Sequence, residues 1–383
     1  MDDTAEVFIK LLRCAVTGSD ADIDYKGVTY GRLFELAMRH SLAHIMYYEL
    51  KKREALPTNE EMRRELERHW LSARRQVALR LFAISGIEKI FGENGVPFIL
   101  LKGAHMTKLY PKPWMRSSAD VDVLVKPCDL ERAAELLINA GLQKDSECGH
   151  HLGFVFKEGF YTELHFSLID EGVLPRAEKI LSNIWDYAAP REGFAYEYVL
   201  SDEAFYFYHT AHMAVHFKLG GCGVRTVLDL WLLNNRTGFD AEKRGRLLSQ
   251  GGLGAFESRI KQLSEIWFSG AQNDGSLDDL ASFIMDGGIY GTLKQNAEAG
   301  RTAKGGKFSY YVNRLFMPYS NMKHNYPILK KVPVLLPVCW AARWFKLLEP
   351  ERRKRIGREI GYTEGITNSD KERLSQLFSE LEI

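Results

Sequence analysis

Hydrophobic positions along the chain change period twice. Between Glu60 and Phe91, the residues Leu66, Trp70, Leu71, Val77, Leu81, Ile84, Ile87 and Ile90 recur at intervals that trace a helical stripe. The other face carries Arg63, Arg64, Arg68, Arg74, Arg75 and Arg80. That run reads as a solvated face, with a phosphate-facing surface as the sharper alternative. Near residue 95 the period shortens. Val96–Leu101 is a short apolar run ending at Lys102-Gly103, which predicts a buried strand entering a turn. Val121–Val125 alternates Val with Asp122 and predicts a second strand. Asp129–Ala140 predicts an amphipathic helix with Asp129 as its N-cap and Gly141 as its stop. Leu152–Phe156 and Phe160–Phe166 predict two strands around a Lys157-Glu158-Gly159 hairpin turn. From about residue 201 the pattern is helical again. Asp202–Phe217 is rich in aromatics and histidine, and Val224–Leu233 follows a glycine break at Gly220–Gly223. Further helices are expected from 258 onward, with loops at Gly287–Gly291 and Gly300–Gly306. The expected fold is α+β: a small mixed-sheet core at 95–200, flanked by an N-terminal helical region at 1–94 and a C-terminal helical domain at 201–383.

Composition narrows the function classes. The 383 residues suffice for two or three domains, and 45% hydrophobic with 12% aromatic residues exclude a disordered chain. With 51 Lys+Arg against 50 Asp+Glu, a globally basic nucleic-acid coat is excluded, while a local basic patch stays open. The five cysteines (Cys14, Cys128, Cys148, Cys222, Cys339) are widely spread with no CxxC pair. This argues against a disulfide framework or structural zinc and fits a reducing cytoplasm. The N-terminus, MDDTAEVFIKLLRC, has neither the basic nor the long apolar region of a signal peptide. The most apolar stretch, Val332–Leu348, contains Pro337, Arg343 and Lys346, and its 17 residues fall short of the ~20 needed to span a bilayer. It reads as a partly buried helix. The alternative is an interfacial segment, with Trp340 and Trp344 at the lipid boundary and Arg352, Arg353, Lys354 and Arg355 following. The expectation is a cytoplasmic protein without stable membrane insertion.

The segment from Leu101 to Val125, LKGAHMTKLYPKPWMRSSADVDVLV, carries the chemistry. Residues two apart on a strand share a face, so Asp120 and Asp122 project side by side, about 7 Å apart at their Cα atoms. Two carboxylates held together favour a cation between them, and oxygen donors suit Mg²⁺ with substrate phosphates. A glycine turn after a strand, here Gly103, lets backbone N–H groups approach a phosphate. A third acid, Glu163, lies in the alternating stretch Tyr161-Thr162-Glu163-Leu164-His165. Three carboxylates on neighbouring strands can hold two divalent ions for an in-line phosphoryl displacement.

This arrangement resembles the nucleotidyltransferase superfamily whose fold is shared with DNA polymerase β. More closely, LKG…LYP…R…DVDVLV, then ELHFS, then H…H…GG.G.R…D resembles the large bacterial group of uncharacterised nucleotidyltransferases, over roughly 96–235. The resemblance implies that Asp120, Asp122 and Glu163 form a catalytic metal triad for Mg²⁺ or Mn²⁺ and that Gly103 approaches the phosphates of a nucleoside triphosphate. It also implies transfer of a nucleoside monophosphate to an acceptor hydroxyl on a small molecule, an RNA or a protein. Two departures stand out. Ala104 follows Gly103 where the superfamily usually has serine or glycine, and the gap from Gly103 to Asp120 is long. Ser117, Ser118, Lys102 or His105 are candidates to replace the missing hydroxyl. Arg116 and Lys102 are candidates to neutralise phosphate charge.

Other clusters admit more than one reading. His209, His212 and His216 have helical spacing, and read as packed residues, a substrate-contacting helix or a metal pair, although no HExxH glutamate is present. Cys148, His150 and His151 precede a predicted strand and do not read as a zinc site. Arg225 and Asp229 are spaced for a helix salt bridge. In the family-like reading Arg225, with His212, closes the cleft opposite Asp120 and contacts a phosphate or an acidic acceptor. Two alternatives stand beside catalysis. One is a degenerate domain that binds nucleotide without turnover, a reading that Ala104 invites. The other is a toxin-like, RNA-modifying transferase, which requires a continuous basic surface from the arginines of 63–80 and 352–358. A small-molecule enzyme requires instead a closed pocket between the central and C-terminal parts.

Overall fold

The computed structural model describes residues 2–147, 149–157, 159–288, 315–319, 322, 326, 328–347 and 368–383. Three helices open the chain: α1 (Asp3–Thr17), α2 (Tyr30–Arg39) and α3 (Ala43–Lys52). The long helix α4 (Glu60–Glu93) starts where Asn59 accepts a hydrogen bond from the Met62 N–H, an N-cap that satisfies one orphan donor. Its buried seam is Leu66, Ala73, Arg80, Ala83, Ile87 and Phe91. The expected apolar stripe is therefore rotated, and Leu71 and Leu81 are exposed. Arg80, expected on the solvated face, is buried and donates to the Arg116 carbonyl at 3.0 Å.

The sheet is mixed and seven-stranded. Its members are β1 (Phe98–Leu100), β2 (Asp120–Val125), β3 (Gln143–Glu147), β4 (His151–Val155), β5 (Tyr161–His165), β6 (Ala188–Pro190) and β7 (Glu197–Leu200), in the order β3-β4-β5-β2-β1-β7-β6. β2 runs antiparallel to β1 and parallel to β5. The expected hairpin is present as β4 antiparallel to β5; Glu158 of its turn lies outside the described residues. β3, β6 and β7 were not expected from the hydrophobic pattern. Gln143–Glu147 is almost entirely polar and exposed, the composition tolerated at a sheet edge.

Alternation assigns the two faces of the sheet. Val121, Val123 and Val125 of β2, Leu164 of β5 and Phe154 of β4 pack with Ala83, Ile87 and Phe91 of α4 and with Ala133 and Leu137 of α6 (Leu130–Asn139). The Asp129 side chain, expected to cap α6, makes no capping bond to the helix, because Asp129 ends a short 3₁₀ turn. The opposite face turns toward a second, larger core. That core joins Phe8, Leu11 and Leu12 of α1 to Phe205, Tyr206 and Phe217 of α8 (Asp202–Leu219) and Leu228 of α9 (Val224–Arg236). The helices before and after the sheet thus share one hydrophobic core. Between α8 and α9, Gly220 and Gly221 have φ of 135° and 122°, values that glycine alone adopts without strain.

Among the described residues no helix is long and apolar enough to cross a membrane. Within Val332–Leu348 the structure has a 3₁₀ turn and a helix at Leu336–Leu347. Trp340 and Trp344 donate to the carbonyls of Met317 and Leu315. The Gly300–Gly306 loop, most of Gly287–Gly291, and Arg352–Arg355 lie outside the described residues.

Candidate active site

β2 and β5 lie side by side with Asp122 opposite Glu163 in register. Both therefore stand on the sheet face turned away from α4, and Asp120 shares that face two residues earlier. His165, two residues past Glu163, joins them. Its Nε2 lies 3.4 Å from Asp122 Oδ1 and 3.2 Å from Glu163 Oε2. One oxygen each from Asp122 and Glu163 and one nitrogen from His165 lie within 4.8 Å of one another. Like charges this close need a positive partner, and His165 supplies one. Burial alone lowers an imidazole pKa; here the hydrogen bonds to Asp122 and Glu163 outweigh it and raise His165 to about 9. For Asp122, burial favours the neutral acid, yet the His165 contact and the Lys102 charge hold it at about 2. Asp120 is shifted the other way. Burial and the neighbouring Asp122 charge raise it, against a 2.6 Å hydrogen bond from the Ser118 hydroxyl.

Lys102 opens the short helix α5 (Lys102–Thr107) directly after β1, where the Leu101 N–H donates to the Asp122 carbonyl at 2.9 Å. Its ammonium sits over the Tyr208 ring, 5.3 Å from the centroid. Burial lowers it to about 8, opposed by the charges of Asp122 and Asp120. Gly103 follows in helical geometry. The atoms nearest to a Cβ there would be those of Ser118 and the Asp120 carbonyl oxygen, at 3.7–3.8 Å. The glycine is therefore not demanded by the backbone; it leaves the Cα bare beside the acids.

These groups line a cavity of about 580 Å³ between the sheet and the helices, within the size range of small-molecule sites. Lys102, Gly103, Arg116, Ser117, Ser118, Asp120, Asp122 and Glu163 all border it, as do His212 and Arg225 of the facing wall. On α8, His212 and His216 place their Nε2 atoms 3.2 Å apart, so one donates and the other accepts. Burial is the main reason both imidazoles are held neutral, His216 at about 4 and His212 well below its usual value.

Two candidates have other partners. Arg116 is buried, and its Nε donates to both Asp229 oxygens at 2.9 and 3.0 Å, while the Tyr110 hydroxyl donates to Asp229 Oδ1 at 2.7 Å. Asp229, expected to steady Arg225 one turn away, is the anchor of Arg116 across the molecule. His105 is not among the cavity-lining residues. Its ring stacks on Phe205 with centroids 4.0 Å apart, and burial lowers it to about 4. The sequence reading gave no role to His165, although Glu163 and His165 alternate on one strand and so share a face. Tyr208 and His44, which also border the cavity, carried no signal, because the helices that bring them here are remote in sequence.

The family model described as uncharacterised nucleotidyltransferase matches residues 26–269. Comparison with curated proteins and with solved structures finds no match. The matched span runs from the second helix through the sheet and the cavity to the end of the short π-helical turn after α11 (Gly254–Ser264), and so includes every residue of the acidic cluster. The chain belongs to the family of uncharacterised nucleotidyltransferases.

Proposed function

We propose that the chain transfers a nucleoside monophosphate from a nucleoside triphosphate to an acceptor hydroxyl, releasing pyrophosphate. The observation that carries this reading is the in-register pair Asp122 and Glu163, beside Asp120 and Lys102 on the wall of one cavity. The donor set fits a divalent ion such as Mg²⁺ or Mn²⁺: oxygens of Asp122 and Glu163 converge, and such an ion would take over from His165 the relief of their repulsion. When bound, such ions neutralise the triphosphate and stabilise the entering and leaving oxygens of an in-line displacement.

The protein's own groups do the rest. Asp120 and Asp122 fix the donor end, and the Ser118 hydroxyl orients Asp120. Lys102, half-buried and flanked by the acids, places positive charge on the phosphates. Glu163 takes the proton of the acceptor hydroxyl on an Oε atom. Arg225 and His212 close the cavity from the helical side and contact phosphate or acceptor. Arg116 acts indirectly, by fixing the loop that carries Ser118. The sheet region at 95–200 forms the catalytic core, and the helical regions before and after it form the walls. The size of the cavity, about 580 Å³, suits a small-molecule acceptor. The spread of cysteines favours a reducing cytoplasm as its place of action.

The test is a purified-protein assay with each labelled nucleoside triphosphate, Mg²⁺ or Mn²⁺, and a panel of hydroxyl acceptors, reading pyrophosphate release. Asp122→Asn keeps the shape and removes the charge, so it should abolish transfer while the circular dichroism spectrum is unchanged. Full metal-dependent turnover by that variant would refute the assignment. Nucleotide binding without pyrophosphate release from any acceptor would favour the degenerate binding domain.

A further inference from the structure

We propose that His150, His151 and His165 bind a divalent transition-metal ion of the zinc class, in a site that borders the carboxylate cluster and shares His165 with it. The three histidines come from two places in the chain. His150 and His151 lead into β4, and His151 faces His165 of β5 in the antiparallel register. Each offers one ring nitrogen, all within 4.8 Å of one another. The ring centroids form a closed triangle with sides of 4.8, 5.1 and 5.7 Å. Nitrogen ligands about 2.0–2.1 Å from a zinc ion lie a little closer together than this, so small side-chain rotations complete the site.

The surroundings of the three rings point to a ligand more strongly than their proximity does. A histidine that binds a metal through one nitrogen commonly gives the other to a carboxylate, which fixes the ring and raises its basicity. Two of the three have such a partner, and a carboxylate stands near the third. His150 Nδ1 is 2.7 Å from Asp170 Oδ1. His165 Nε2 faces Asp122 and Glu163, and His151 Nε2 lies 3.7 Å from Glu163 Oε1. The opposite nitrogens of His151 and His165, both Nδ1, are buried without a hydrogen-bond partner, and His165 is only 7% exposed. A buried ring nitrogen left without a partner costs free energy unless something occupies it. Imidazole donors select zinc-class ions, whereas the neighbouring oxygen donors select magnesium. Three protein ligands leave one coordination position, and all three histidines border the cavity. An acceptor or a water molecule would take that position.

The proposal does not require that the chain transfer nucleotides, and its test reads the metal directly. The full chain is stripped with chelator, and Co²⁺ is titrated while its visible ligand-field bands are recorded; Zn²⁺ then competes. The expected result is one equivalent of Co²⁺ with the intense bands of low-coordinate nitrogen ligation, displaced by Zn²⁺ and untouched by millimolar Mg²⁺. His151→Ala should abolish the bands. Asp170→Asn, a change at an exposed carboxylate that leaves packing intact, should weaken Co²⁺ binding about 10–100-fold, so a folding failure of His151→Ala does not remove the test. Asp120→Asn should keep the bands while losing Mg²⁺-dependent transfer, which separates this site from the proposed catalytic one. Absence of a tight equivalent in the wild type, displacement by Mg²⁺, or equal binding by wild type and Asp170→Asn would each overturn the proposal.

Discussion

Replacing Asp229 by Asn is the perturbation whose cost the structure specifies best. Asp229 is 2% and Arg116 6% exposed, so neither charge is solvated. Both carboxylate oxygens accept from Arg116 Nε, and one also accepts from the Tyr110 hydroxyl. Asparagine keeps the shape but leaves the guanidinium without a counter-charge. Breaking a buried pair from one side costs about 3–5 kcal/mol. Tyr110→Phe removes a single hydrogen bond to a charged group and should cost about 1.5–3 kcal/mol. The double variant Arg116→Met/Asp229→Leu should cost less than Asp229→Asn alone, since it strands no charge. The assay is urea unfolding at pH 7, with midpoints compared at unchanged slope. The same change should loosen the site. Arg80 donates to the Arg116 carbonyl, and two residues later Ser118 holds Asp120; metal affinity should therefore fall with stability. A midpoint shift worth less than about 0.5 kcal/mol, the range of an indifferent surface change, would refute this account.

Acid should destabilise the protein through its buried histidines. The Val224 N–H donates to His40 Nδ1, and His40 Nε2 donates to the Met285 carbonyl, so only the neutral ring fits. Burial lowers both His40 and His44 from 6.5 to about 4. Between those values the unfolded chain binds protons that the folded chain refuses, so stability falls as pH drops from about 6.5 toward 4, by ~2 kcal/mol per histidine at pH 5. Urea melts across this range check it; a flat profile to pH 5 would rule it out. Gly103→Ala should leave the fold as stable or up to about 1 kcal/mol more stable, because alanine suits a helix better and its Cβ makes only ordinary contacts. Nucleotide affinity, measured by calorimetry, should drop roughly tenfold, the equivalent of one lost charge-assisted contact. Unchanged affinity would show that the phosphates lie elsewhere.

What the sequence determined on its own was local. Strand alternation in Asp120-Val121-Asp122-Val123 dictates that both acids share a face, and the same rule groups Glu163 with His165. The order of helices, strands and helices also followed from periodicity, as did the end of the strand just before Lys102-Gly103. What only the tertiary structure decided was which distant groups meet. Parallel pairing of β2 with β5 sets Asp122 against Glu163 in register, and no single-strand pattern encodes a register between residues 41 positions apart. Arg80 and Arg116 both read as surface or phosphate-binding cations, yet both are buried, one held by a carbonyl and the other by a carboxylate 113 residues away. A charged side chain goes inside only where a partner waits, and that partner is supplied by the packing of remote helices. For the same reason Cys148, His150 and His151 did not read as a metal site: the nitrogen that groups with His150 and His151 belongs to His165, one strand over.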